Sequence, residues 1–169
     1  FTYTGINASS DPPTFTGVTR QVDSTNAAKH LANIQVSESW TERDTGRTSA
    51  GKYRFERFNF NGTDKIILVD EVNAPVVIDS SMNFVDVSAS SVAGSKFLAS
   101  FKNHMFYAGK STTPEELIFS VPFDEDNLTD SGTGSIKVDD TVVALKVFRD
   151  SLFIFCENRI FKLTGSSSS

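Results

Sequence analysis

The stretch "VVALKVFRDSLFIFCENRIFKLTG" (142–165) decides how the rest of the chain is read. It has the form of two strands around a short polar turn, with Leu152-Phe153-Ile154-Phe155 as an unbroken apolar run. A strand with one wet face alternates apolar and polar residues, whereas a strand covered on both faces is apolar throughout. Two earlier stretches share the plan. Phe60 opens "FNGTDKIILVD" and Phe101 opens "FKNHMFYAG", as Phe148 opens "FRDSLFIFC". Each passes from an aromatic through a short turn containing Asn or Asp into consecutive apolar residues. A further strand follows each one: "PVVID" (75–79), "ELIFSV" (116–121) and "RIFKLT" (159–164). The three phenylalanines are 41 and 47 residues apart. All-strand repeats of about 40–50 residues are the pattern of propeller blades.

The expectation is therefore an all-β chain made of β-propeller-like repeats of antiparallel sheets. The competing reading is an all-β sandwich whose spacings coincide by chance. At about 45 residues per blade, 169 residues hold between three and four blades, and propellers close with roughly four to eight. The repeats predict a partial propeller within a longer protein, completed by the rest of its own polypeptide or by neighbouring subunits. Phe1 in place of Met and the closing Ser166–Ser169 read as cut points in the same sense. The chain divides into a polar arm or partial blade (1–50), the propeller-like repeats (51–165) and a Ser-rich end (166–169).

Fifteen phenylalanines against one tryptophan and two methionines favour strands, because aromatic residues fit a pleated, half-buried surface. In "KYRFERFNF", Tyr53 and Phe55 share one parity while Phe58 and Phe60 share the other. The pattern predicts either a bulge near Arg57 or burial on both faces. Within the polar third, "STNAAKHLAN" (24–33) has the composition of a short helix capped by Ser24, and "IQVSESW" (34–40) alternates as a strand does. "SSDPPTFTG" (9–17) has turn chemistry, with Pro12 and Pro13 unable to donate to a ladder.

A net charge of −5 argues against a surface built to grip nucleic acid, though an acidic channel would let it pass without sticking. The single cysteine, Cys156, forms no internal disulfide and reads as a small buried hydrophobe. No stretch reaches the roughly 18 apolar residues of a membrane-spanning helix.

No motif carries catalysis. Gly109-Lys110-Ser111 has the tail of a phosphate loop, but His104 occupies the place of its first glycine. Asp124, Asp126 and Asp130 have the spacing of a calcium loop's opening, yet Ser135 stands where the closing glutamate belongs. His30 and His104 lie 74 residues apart with no orienting carboxylate at a recognisable spacing. Asp79, Asp86, Asp139 and Asp140 fall near strand ends, where solvated turn residues are common. The expected sites are none: no catalytic, cofactor-binding or metal residues, no cofactor, and no enzymatic activity.

The segment "EELIFSVPFDEDNLTDSGTGSIKVDDTVVALKVFRDSLFIFCENRIFKLTG" (115–165) resembles virion structural proteins of tailed bacteriophages. The likeness is to their propeller-containing tail proteins, of nozzle and packaged-DNA-stabilising type, and to cyanophage relatives. "LIFSVP" before an acidic loop, the two apolar strands at 142–163 and the Gly-Ser break after Leu163 carry it, and "GKYRFERFNFNGTDKIILVD" (51–70) extends it. The resemblance implies a structural part of a virion, in a tail or head–tail ring that shapes the DNA channel or retains packaged genome. It implies a homo-oligomeric ring whose partners are other tail or head–tail proteins, with passive contact to genomic DNA and no membrane. The alternative is a receptor- or glycan-binding propeller of a tail adhesin, for which Tyr3, Trp40 and Tyr107 are the candidate aromatic platforms.

Overall fold

The computed structural model describes residues 5–7, 9, 14–16, 42–49 and 51–165. The chain forms two compact units, Phe1–Trp40 and Thr41–Ser169. In the first, β1 (Gly5–Asn7) pairs antiparallel with β2 (Thr14–Thr16), Gly5 opposite Thr16. The helix expected at 24–33 and the strand expected at 34–40 lie outside the described residues.

The second unit is built from three antiparallel sheets, and no helix occurs among the described residues. The first sheet is a meander of β3 (Arg54–Phe60), β4 (Thr63–Val69), β5 (Val76–Ile78) and β6 (Phe84–Asp86). The second repeats it with β7 (Phe97–Phe101), β8 (His104–Lys110), β9 (Thr113–Phe119) and β10 (Gly134–Lys137). The third has β11 (Val142–Phe148), β12 (Ser151–Cys156) and β13 (Ile160–Leu163). Phe60, Phe101 and Phe148 each end the first strand of a sheet. Two-residue turns follow. Asn61-Gly62 and Lys102-Asn103 have positive φ at both positions, the type I′ geometry whose twist matches that of the flanking strands. The all-β expectation is met. The described residues form an open series of sheets, with no closed barrel or ring among them.

The sheets stack through two cores. Phe58, Phe60, Ile67, Val69 and Val77 of the first sheet meet Leu98, Met105 and Tyr107 of the second. Ala99, Phe101, Phe106 and Leu117 on the opposite face of the second sheet meet Leu152, Ile154 and Cys156 of the third. Each fully buried aliphatic side chain contributes about 1.5–3 kcal/mol of transfer free energy. Phe58 and Phe60 pack edge to face, ring centroids 4.7 Å apart.

Two expectations are corrected in detail. Strand β3 pairs with β4 in unbroken register from Arg54 to Phe60, so no bulge stands near Arg57. Its mixed parity has another resolution: Phe58 and Phe60 point into the core, while Phe55 is left 72% exposed. The apolar runs also differ. Residues 105–108 are buried throughout, but Ile66 is 40% exposed and Phe153 and Phe155 are half-buried. Among the described residues, only the second sheet has another sheet packed on both faces.

The segment 42–49 folds onto the first sheet without forming a strand. Arg47 donates from Nη2 to the Asp70 carboxylate (3.1 Å) and to the Ala74 carbonyl (2.9 Å). The Thr48 amide and carbonyl bond reciprocally with the Asn73 side chain. Gly51 is required by the approach that follows, since a Cβ there would lie 1.7 Å from the Asp70 carbonyl oxygen.

Candidate functional site

The free edges of the three first strands run together. Strand β7 neighbours β3 on one side and β11 on the other. Between them lies an open groove of about 440 Å³, lined by Arg54, Phe55 and Glu56 from β3, Phe97–Ala99 from β7 and Val143–Val147 from β11. This groove is lined by residues of all three sheets, and so is the candidate site.

Its walls carry both signs of charge. Arg54 donates from Nη1 to Glu71 Oε1 (2.6 Å), and its guanidinium lies 4.9 Å from the Phe97 ring centroid. That hydrogen bond holds the Glu71 carboxyl below its ordinary range. Ser100 Oγ donates to Glu56 (3.3 Å), joining the first sheet to the second. Lys146 stands exposed on the β11 wall with no ion-pair partner among the described residues. A bulge between Ala108 and Lys110 lets Phe97 close the floor: Gly109 has φ +77°, and a Cβ there would meet the Phe97 ring at 2.7 Å. Chemically the groove sets the charged side chains of Arg54, Glu56 and Lys146 beside Phe55 and Phe97.

The remaining candidates fall into structural roles. His104 is tied through Nδ1 to the Ser120 carbonyl (2.6 Å) and stands edge-on to Phe119. His30 lies outside the described residues, as do Tyr3 and Trp40. Tyr107 is buried, its hydroxyl donating to the Glu125 carbonyl (2.6 Å). Burial, reinforced by Glu125, Asp126 and Asp124, pushes that phenol well above its usual range. Cys156 is buried between the second and third sheets, and burial raises its thiol. Gly109 and Lys110 end strand β8, and the Lys110 ammonium donates to the carbonyls of Ser90 and Ser91.

In the acidic loop, buried Glu125 turns inward to accept from Lys65 of the first sheet (2.6 Å). Asp126 titrates above its ordinary range because Asp124 hydrogen-bonds to it and burial disfavours its charge. Asn127 bridges to Asp130 (2.9 Å). Among the described residues, no group of three His, Cys, Asp or Glu side chains is placed to hold a metal ion. No described helix is long and apolar enough to cross a membrane.

The strand-end aspartates organise turns. Asp79 accepts from the amides of Ser81 and Asn83 and from the Asn83 side chain, which together hold its carboxyl low. Asp140 accepts from Thr141 and Asn158 in the same way. Asp86 lies 3.6 Å from Arg47, and Asp139 is exposed.

The feature that the sequence did not single out is Asp70. It is 2% exposed and accepts from Val72 N, Asn73 N, Asn73 Nδ2 and Arg47. Burial pushes its pKa up, but these hydrogen bonds outweigh burial and hold the carboxyl below its ordinary range. The available signal was the Asp-x-x-Asn spacing of 70–73, a local turn motif. Its arginine partner, 23 residues away, had none.

The fold and groove thus define an all-β chain of serially stacked antiparallel sheets. Comparison with protein-family models, curated proteins and solved structures found no match to this chain.

Proposed function

We propose that the chain is a run of propeller blades and serves as a structural component of a phage virion. On this reading it forms part of a tail or head–tail ring that shapes the DNA channel or retains packaged genome. The observation that carries the blade reading is the shared facing of the sheets. Phe60 points from the first sheet toward the second and Phe101 from the second toward the third, while each sheet places its first strand beside the next. Blades arranged around an axis have this relation, and the groove along β3, β7 and β11 then lies on the axial side. The virion assignment draws on the resemblance of residues 51–165 to tail proteins.

The role is mechanical and not enzymatic. Blades that pack only on their neighbours make a rigid annulus. A net charge of −5 discourages DNA from adhering to a channel wall. The alternative, a glycan-binding adhesin, needs exposed aromatic platforms. Phe55 and Phe148 are exposed, but Tyr107 is committed to the core.

Immunogold electron microscopy of particles of the encoding phage, intact and disrupted, tests the proposal with antibody against this chain. Label at the head–tail junction or along the tail is the expected result. Label confined to fibre tips, with binding to a glycan array, moves the assignment to an adhesin. No label on disrupted particles removes the virion role.

A further inference from the structure

We infer that the two outer faces of the stack are halves of one interface, and that a second copy of this chain docks head to tail across them. The inference rests on the blade reading above, and it names the surfaces that the blades leave uncovered. Every sheet has a forward face, carrying the phenylalanine that ends its first strand, and a backward face. Among the described residues, forward faces pack only on backward faces: first on second, second on third. One of each remains open.

The open forward face belongs to the third sheet. Phe153 and Phe155 of β12 lie on it beside Ile160, which is 66% exposed, and Phe148, which is 61% exposed. The open backward face belongs to the first sheet. There Phe55, Ile66 and Phe84 occupy neighbouring rows of the register. Solvent normally meets charged and polar side chains on a sheet face, so two apolar faces at the ends of one stack are unsatisfied surfaces.

Charge matches them to each other. On the forward face Lys146 and Lys162 flank Phe153 in a single row, and neither has an ion-pair partner among the described residues. The backward face and the segment folded against it hold five carboxylates, Glu42, Asp44, Asp64, Asp70 and Asp86, against three guanidiniums, Arg43, Arg47 and Arg57, an excess of two negative charges. Unpaired lysines facing an acidic margin favour forward-on-backward docking. They oppose forward-on-forward pairing, which would bring like charges together. The occupant is therefore another copy presenting the opposite end, an arrangement that propagates until a ring closes.

Sedimentation of the full chain with two single-face variants tests this. Phe155→Asp spoils the forward face and Ile66→Asp the backward face. The wild type is expected to associate with rising concentration, and each variant alone to remain monomeric. An equimolar mixture of the variants should form a one-to-one dimer and nothing larger, because one intact interface remains. Circular dichroism confirms that each variant is folded. The exposed double reversal Lys146→Glu with Lys162→Glu leaves both cores untouched, and should weaken wild-type association by about tenfold or more.

A wild type that stays monomeric at its highest soluble concentration overturns the inference, and so do single variants that still associate. A double reversal without effect overturns it as well. The outcome is independent of the virion assignment. Monomers of a chain that nonetheless labels on tails would refute the docking alone, whereas one-to-one complexes with no label on particles would refute the virion role alone.

Discussion

The second sheet and the two sheets that flank it use the same strand plan and meet different fates. In the second, the apolar run Met105-Phe106-Tyr107-Ala108 is buried on both faces. In the first, Ile67 and Val69 are buried while Ile66 is exposed; in the third, Leu152 and Ile154 are buried while Phe153 and Phe155 are half-covered. The hydrophobicity of a strand records the neighbours it is built for, and burial records the neighbours it has. The flanking runs are more apolar than their present surroundings require. That excess is the physical ground for expecting a further sheet on each side.

The comparison breaks most readily at the second sheet. Leu117, fully buried against the third sheet, should cost about 2–5 kcal/mol when cut to alanine, from lost transfer energy plus the cavity left behind. Chemical denaturation reads the loss directly. A cost below 1 kcal/mol would mean that the second and third sheets are not packed as described.

Next comes the anchor of the 42–49 segment. Asp70→Asn should destabilise the chain at neutral pH by about 1–3 kcal/mol through loss of the carboxylate charge that Arg47 and the Asn73 amide donate to. Because the folded carboxyl titrates below its unfolded value, its contribution is complete above the ordinary carboxylate range. It is lost as pH falls through the lower, folded value. The difference between wild type and variant should therefore shrink below about pH 4. A gap that widens with acid would reverse the sign and refute the account.

Tyr107→Phe is smaller. It removes the hydroxyl bond to the Glu125 carbonyl and leaves the ring in place, for an expected loss of about 1 kcal/mol in thermal or denaturant unfolding. A neutral result would show that the acidic loop is not fastened to the second sheet through this group.

Smallest of all should be Phe55→Ala. With its ring 72% exposed, the isolated chain should lose no more than about 0.5 kcal/mol. The same substitution in a self-associated sample should cost more, because the ring would then be covered. Equal costs in both states would remove the distinction between open and covered faces.

Much of the fold was legible because period and spacing are local. The recurring aromatic, turn and apolar run place Phe60, Phe101 and Phe148 at the ends of equivalent strands. Asn61-Gly62 carries its turn geometry in its own chemistry. The Lys102-Asn103 turn does not, since lysine at positive φ is imposed by the strands around it. The groove was not legible at all, because it is assembled from strand edges more than 40 residues apart.

By itself the sequence determined the all-β character and much of the strand and turn pattern, since alternation and turn residues act over a few positions. Tertiary structure alone decided which face of each strand is covered, where Arg47 finds Asp70 and which apolar surfaces remain open. Those outcomes depend on which sheet becomes the neighbour of which, and burial is a property of the pair, not of either strand.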